Sequence, residues 1–221
     1  MNNFKYSVRC DELFGSIPEE LRQLFSGAVY PWEVLSDIGE YLSSLELSDD
    51  YIEVKNGVYI HRGAKVDESA LILPPAVIGE GAEIRHGAYI RGCAYVGRGC
   101  VVGNSTEVKN SLLFDGAKAP HYNYVGDSVL GAGSHLGASA TASNLKADKS
   151  KVTVKADRVY STGRRKLGAI LGDGAEVGCG AVLNPGTVVC RGAIVYPNLT
   201  VRGVVPERTI MKSEGVFVKI Q

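Results

Sequence analysis

The sequence predicts a mainly β protein, wound as a parallel β-helix behind a short helical segment. Three observations point there. An aliphatic residue recurs every sixth position through most of the chain, Gly or a small residue accompanies it in each hexad, and the first 56 residues lack the beat and show helical spacing instead.

The beat begins at Ile60 and runs through Val66, Ile72, Ile78, Ile84, Ile90, Val96, Val102, Val108 and Phe114. It resumes at Leu171, Val177, Leu183, Val189, Val195 and Val201. In hexads such as Ile78-Gly79-Glu80-Gly81-Ala82-Glu83, the aliphatic residue points inward, the small one fits a narrow interior, and Gly or Asp turns the corner. Three hexads closing a triangle make a coil of roughly 18 residues, with successive coils about 4.8 Å apart. Residues 18 apart therefore stack in columns.

Ahead of the coils, residues 1–56 form a helical cap or linker. Pro18-Glu19-Glu20-Leu21 reads as a helix start, and Val34, Leu35, Ile38, Tyr41, Leu42 and Leu45 make an amphipathic stripe between Trp32 and Leu45. These helices are expected to cover the first coil, whose open end would expose unpaired strand edges. The β-helix domain spans residues 57–206. Within it, residues 142–170 break the beat as a basic loop or arm thrown out from one corner, carrying Lys146, Lys149, Lys151, Lys155, Arg158, Arg164, Arg165 and Lys166 against Asp148 and Asp157. Residues 207–221 leave the repeat as a tail.

Composition narrows the function. Twenty-four basic residues balance 24 acidic ones, which gives no nucleic-acid or membrane-surface signature. No apolar run approaches the roughly 18 residues needed to cross a bilayer. The five cysteines form no CxxC pair, and Met1-Asn2-Asn3-Phe4 does not read as a secretion signal, so a cytoplasmic setting is expected.

Chemistry concentrates where the pattern is interrupted. The residue after the aliphatic one is commonly Gly, but Arg91 and Lys109 replace it 18 apart. They should stack as paired cations suited to a phosphate dianion. Downstream, Lys118-Ala119-Pro120-His121-Tyr122-Asn123-Tyr124-Val125-Gly126-Asp127 lies where the step shortens, and His121 should escape the interior to face a groove.

The run Val102-Gly103-Asn104 to Asp127, with Glu107-Val108-Lys109, Lys118-Ala119-x-His121 and Tyr124-Val125-Gly126-Asp127, closely resembles the acetyltransferase domain of the bifunctional enzymes that make UDP-N-acetylglucosamine. The resemblance covers about residues 57–206. It implies a left-handed β-helix, a homotrimer with active sites between subunits, and acetyl-CoA as co-substrate. It also implies His121 as general base oriented by Glu107, Arg91 and Lys109 on the sugar phosphate, and Tyr124 on the sugar. Ala138, Asn144 and Cys179 would contact acetyl-CoA, and no metal is implied. The chemistry suits these residue types: an amino sugar arrives mainly as an ammonium, so a base with pKa near 7 must remove a proton before the nitrogen attacks a thioester.

Departures bear on the acceptor. His135 stands at the position of a substrate-binding Asn, Leu145 replaces a Tyr, Cys179 replaces a Ser, and the basic insertion is longer than the family's arm. The nucleotidyltransferase signature of the bifunctional enzymes is missing, so pyrophosphorylase activity is not expected. Two alternatives stay open. One is a non-catalytic trimerisation, regulatory or sugar-nucleotide-binding module detached from a sugar-1-phosphate nucleotidyltransferase. The other is a metal hydrolyase resembling the γ-class carbonic anhydrases, for which His61, His86, His121 and His135 would have to supply three ligands.

Overall fold

A computed structural model describes residues 4–220 of the chain. The chain winds as a parallel β-helix. Three sheets form its faces. Face I contains Val58–His61, Ala76–Ile78, Ala94–Val96 and their successors to Val204–Val205; face II runs from Lys65–Val66 to Thr209–Ser213; face III runs from Leu71–Ile72 to Thr200–Val201. Each coil visits the faces in that order.

The inward column is aliphatic: Ile78, Ile84, Ile90, Val96, Val102 and Val108 are all buried in one core. The next inward residue is Leu113, five positions on, and a second five-residue step separates Val125 from Leu130. Cross-strand register records the loss, with Ala76 opposite Ala94 but Leu112 opposite Val129. The expected inward position of Phe114 is thereby corrected. Its ring points outward and packs 4.9 Å from Phe14 and 5.7 Å from Phe25. The shortened step expected near 120–130 has a predecessor one coil earlier. Asn110 and Asp127 turn these two corners at φ 45° and 50°, a left-handed conformation that Asn and Asp tolerate better than most side chains.

The outward side of face I is apolar as well. Val77, Tyr95, Leu112, Val129, Ile170 and Val188 are buried in a second cluster, and the cover comes from two segments. The N-terminal segment runs along this flank: the Lys5 carbonyl accepts from Glu207 N at 3.1 Å, Leu13 O accepts from Asp173 N at 3.0 Å, and Tyr95 Oη donates to Glu20 Oε2 at 2.9 Å. The helices thus lie along a face rather than over the open end, because the apolar exterior of face I must be removed from water. The edge of the first coil is instead met by Tyr51–Lys55, antiparallel to Val58–His61. The stripe from Trp32 to Leu45 forms two short pieces, a 3-10 turn at Pro31–Ser36 and an α-helix at Ile38–Ser43. Val34, Leu35, Ile38 and Leu42 are all buried there.

The second cover is the basic arm. It is not thrown outward: Thr153–Lys155 and Val159–Ser161 form an antiparallel hairpin that docks back on the helix. Val152 and Val154 are fully buried, and Tyr160 packs 5.5 Å from Tyr30 and 6.4 Å from Trp32. Burying two valines and part of a tyrosine favours docking, while most of the arm's cations stay exposed to solvent. The tail also departs from its expected boundary at 206, since Thr209–Ser213 adds a parallel strand to face II beside Ile194–Val195 and Val216–Lys219 folds back on it. Among the described residues no helix is long and apolar enough to cross a membrane.

Candidate functional site

The strand Lys118–His121 ends at the corner between faces II and III, with His121 opposite Asn104 of the previous coil. The imidazole is exposed, and among the described residues it makes no hydrogen bond. Its backbone is held tightly all the same. His121 N donates to Asn123 Oδ1 at 3.1 Å, while Asn123, only 2 % exposed, donates from Nδ2 to Gly137 O at 2.8 Å and to Ala140 O at 3.1 Å. Gly103 makes room for this corner, because a Cβ there would collide with the Pro120 carbonyl. The next residue, Tyr122, adopts φ 52° and is 63 % exposed.

The same corner carries two further predicted positions. Lys118 pairs with His135 and His135 with Glu176, which puts His121, Ala138 and Cys179 in one column on successive coils. Backbone bonds tie the column together, from Ser139 N to His121 O at 2.9 Å and from Gly180 N to Ala138 O at 2.8 Å. The Ala138 N–H has no acceptor among the described residues, and the Cys179 thiol is exposed.

Face III carries the others. Tyr89, Glu107 and Tyr124 are in register on three adjacent strands, and the same register stacks Arg91 on Lys109 at the far end of the face. Each cation faces a carboxylate. Arg91 Nη1 lies 2.7 Å from Glu107 Oε1, a hydrogen bond that raises the arginine's pKa further, and Lys109 Nζ lies 3.7 Å from Asp127 Oδ2. Glu107 was expected to orient His121. Within this chain its carboxylate accepts from Arg91 on the neighbouring strand of face III, and among the described residues it makes no hydrogen bond to the imidazole.

Asn144, expected to contact acetyl-CoA, is engaged within this face. Its Nδ2 donates to Asp127 Oδ2 at 2.5 Å and to Tyr124 Oη at 3.2 Å. Burial, with Glu107 and Asp127 nearby, pushes the Tyr124 phenol above its ordinary value. Its ring lies over Gly126, where any Cβ would strike it. His135 projects from face II, with Nδ1 2.9 Å from Glu176 Oε2.

The structure therefore brings together one corner column of His121, Ala138 and Cys179, and one polar face of Arg91, Glu107, Lys109, Tyr124 and Asn144. Sequence reasoning missed Asp127, Asn110 and Asn123. Asp127 is 4 % exposed, accepts from Asn110 and Asn144, and lies close to Lys109. The signal was present: an Asx residue at a corner where the beat loses a position. Among the described residues no three His, Cys, Asp or Glu side chains gather as a metal site.

Residues 75–110 match the family model described as bacterial transferase hexapeptide (six repeats). This is a hexapeptide-repeat chain. It is 40% identical over 165 residues to the bifunctional protein GlmU of Methanococcus maripaludis, a match covering 72% of this chain and 40% of that protein. It is 34% identical over 199 residues to a bifunctional sugar-1-phosphate nucleotidylyltransferase/acetyltransferase of Sulfurisphaera tokodaii, covering 86% of this chain and 47% of that protein. The hexapeptide-repeat chain thus spans less than half the length of these relatives. Among solved structures it is similar to the Arabidopsis UDP-N-acetylglucosamine acyltransferase, at 10% identity, with a TM-score of 0.48 over 75% of this chain and 65% of that one.

Proposed function

We propose that the chain is an acetyl-CoA-dependent N-acetyltransferase acting on an amino-sugar phosphate such as glucosamine 1-phosphate, in the cytoplasm, with its active sites between the subunits of a homotrimer. The observation that carries this reading is the His121 column: an exposed, unengaged imidazole on a rigid corner, one coil from a backbone N–H without an acceptor.

The chemistry follows from those groups. His121 accepts a proton from the sugar ammonium, freeing the nitrogen lone pair to attack the thioester carbonyl. The Ala138 N–H is available to the oxyanion that develops. When the tetrahedral intermediate collapses the carbon–sulfur bond breaks, the nitrogen gives up its second proton to solvent so that a neutral amide remains on the sugar, and the imidazolium returns its proton to the departing thiolate. Arg91 and Lys109 would hold the sugar phosphate and Tyr124 and His135 the sugar. Ala138, Asn144 and Cys179 would line the path of acetyl-CoA. Because the thioester is already activated, much of the remaining acceleration comes from positioning.

The test is release of free thiol from acetyl-CoA on addition of glucosamine 1-phosphate or another amino sugar, with His121→Ala as the comparison. Loss of about 100-fold or more in kcat with an unchanged melting temperature is the expected result. Should a broad panel of acceptors give no thiol release that depends on His121, the chain is the non-catalytic module instead. Sedimentation checks the assembly independently: a trimer is expected, and a monomer at micromolar concentration contradicts shared sites.

A further inference from the structure

Asn104 stands opposite His121 on the preceding coil, and its amide oxygen is buried without a hydrogen-bond partner among the described residues. A buried acceptor left unmade costs stability, and nearly all such groups in folded chains find a donor. The imidazole of His121, itself unengaged among the described residues, is one strand away.

The corner repeats closely enough to bring the two groups together. Ile84 pairs with Val102 and Val102 with Ala119, so His86, Asn104 and His121 hold equivalent places on three successive coils. Each is followed by a left-handed residue, Gly87 at φ 66°, Ser105 at 52° and Tyr122 at 52°. The same backbone bond also recurs, from Ser105 N to His86 O at 3.2 Å and from Tyr122 N to Asn104 O at 2.8 Å. The corners therefore turn alike, and their side chains leave the backbone in the same direction about 4.8 Å apart. At that spacing an amide reaches Nδ1, the ring nitrogen nearer the chain, and leaves Nε2 facing outward.

Other partners for either group are occupied. On the far side of Asn104, His86 has its Nδ1 2.7 Å from Ser69 Oγ, which also accepts from Gly87 N at 3.0 Å. The titratable groups on the surrounding elements are His86 and Cys179 in the column, Glu107 and Tyr124 on face III, and Lys118 and His135 on face II. Among the described residues none of them hydrogen-bonds the ring, and Glu107, Tyr124 and His135 are held by Arg91, Asn144 and Glu176.

We propose that Asn104 is the positioning residue of His121: its Oδ1 accepts from Nδ1–H when the ring turns toward the preceding coil. That contact fixes the tautomer whose Nε2 lone pair is free to take a proton, the task first expected of Glu107. The inference rests on the reading of His121 as general base.

Nuclear magnetic resonance of the full chain labelled with nitrogen-15 histidine tests the contact without any substrate, the His121 signals being identified by their loss in His121→Ala. The wild type is expected to hold the Nδ1–H tautomer, and Asn104→Ala to abandon it for the Nε2–H form. The melting temperature of Asn104→Ala is expected to stay unchanged, because the substitution also removes a buried acceptor. Asn104→Asp should restore the tautomer and raise the His121 titration midpoint by about one pH unit, since a carboxylate favours the imidazolium. In the thiol-release assay Asn104→Ala is expected to lose about tenfold or more in kcat with KM unmoved, and Asn104→Asp to shift the pH–rate midpoint in step with the resonance titration. A tautomer that follows these substitutions in a chain releasing no thiol upholds the contact and counts against acetyl transfer alone. An unaltered His121 tautomer and midpoint in both variants, a change confined to the His86 signals, or a lowered melting temperature with His121 unaltered overturns the proposal, even where the wild type transfers acetyl groups.

Discussion

Asn110 donates from Nδ2 to Asp127 Oδ1 at 2.9 Å, joining the two corners at which the hexad loses a residue. The same Nδ2 lies 3.1 Å from Leu35 O of the N-terminal segment, and the other Asp127 oxygen takes Asn144 at the root of the arm. One buried carboxylate therefore links both covers of face I to the polar face that carries Lys109 and Tyr124.

Removing that hub should cost stability and disturb the site together. Asp127→Ala takes one acceptor from each of two amides and leaves Lys109 without its neighbouring carboxylate, and it is expected to destabilise by about 1–3 kcal/mol in urea unfolding. Asp127→Asn keeps one acceptor oxygen and should lose less.

The Arg91–Glu107 pair makes a kinetic prediction. Glu107→Gln releases the guanidinium from its carboxylate, so KM for a phosphorylated acceptor should fall by a few-fold, with the pH–rate midpoint unmoved. A displaced midpoint would show that Glu107 acts on the imidazole instead.

Phe114 anchors the N-terminal segment through Phe14 and Phe25. Phe114→Ala should destabilise by about 3–5 kcal/mol and expose the first 50 residues to limited proteolysis, since the cavity opens beneath the cover rather than inside the coils.

The thiols predict both a labelling pattern and a pH dependence. Burial pushes Cys10, Cys100 and Cys190 up to about 12 from the ordinary 9.0, whereas Cys179 is exposed. At pH 8 a thiol reagent should modify Cys179 first and leave those three protected until unfolding. In the folded chain the three keep their protons between pH 9 and about 12, while the unfolded chain gives them up, so stability should fall with rising pH across that window. A pH series of thermal melts checks the sign.

Much of the fold was legible because a hexad is a local rule. An aliphatic residue every sixth place, with Gly where the turn needs it, specifies an inward column whatever the distant chain does, and the interior from Ile78 to Val108 follows it. His121 outside the core was legible for the same reason, as it falls where the rule lapses. Asp127 was not, because a carboxylate at a corner reads as solvated until its partners from Asn110 and Asn144 are seen.

The sequence by itself determined the coil, its three faces and the stacking of Arg91 on Lys109, since each depends on spacing along the chain. Only the tertiary structure decided that Leu113 rather than Phe114 points inward, that the arm docks on face I, and that Glu107 faces Arg91. Those outcomes depend on which residue stands opposite on the neighbouring coil and on which apolar surface still needs cover. A single residue dropped at a corner shifts the first, and the folding of a distant segment settles the second.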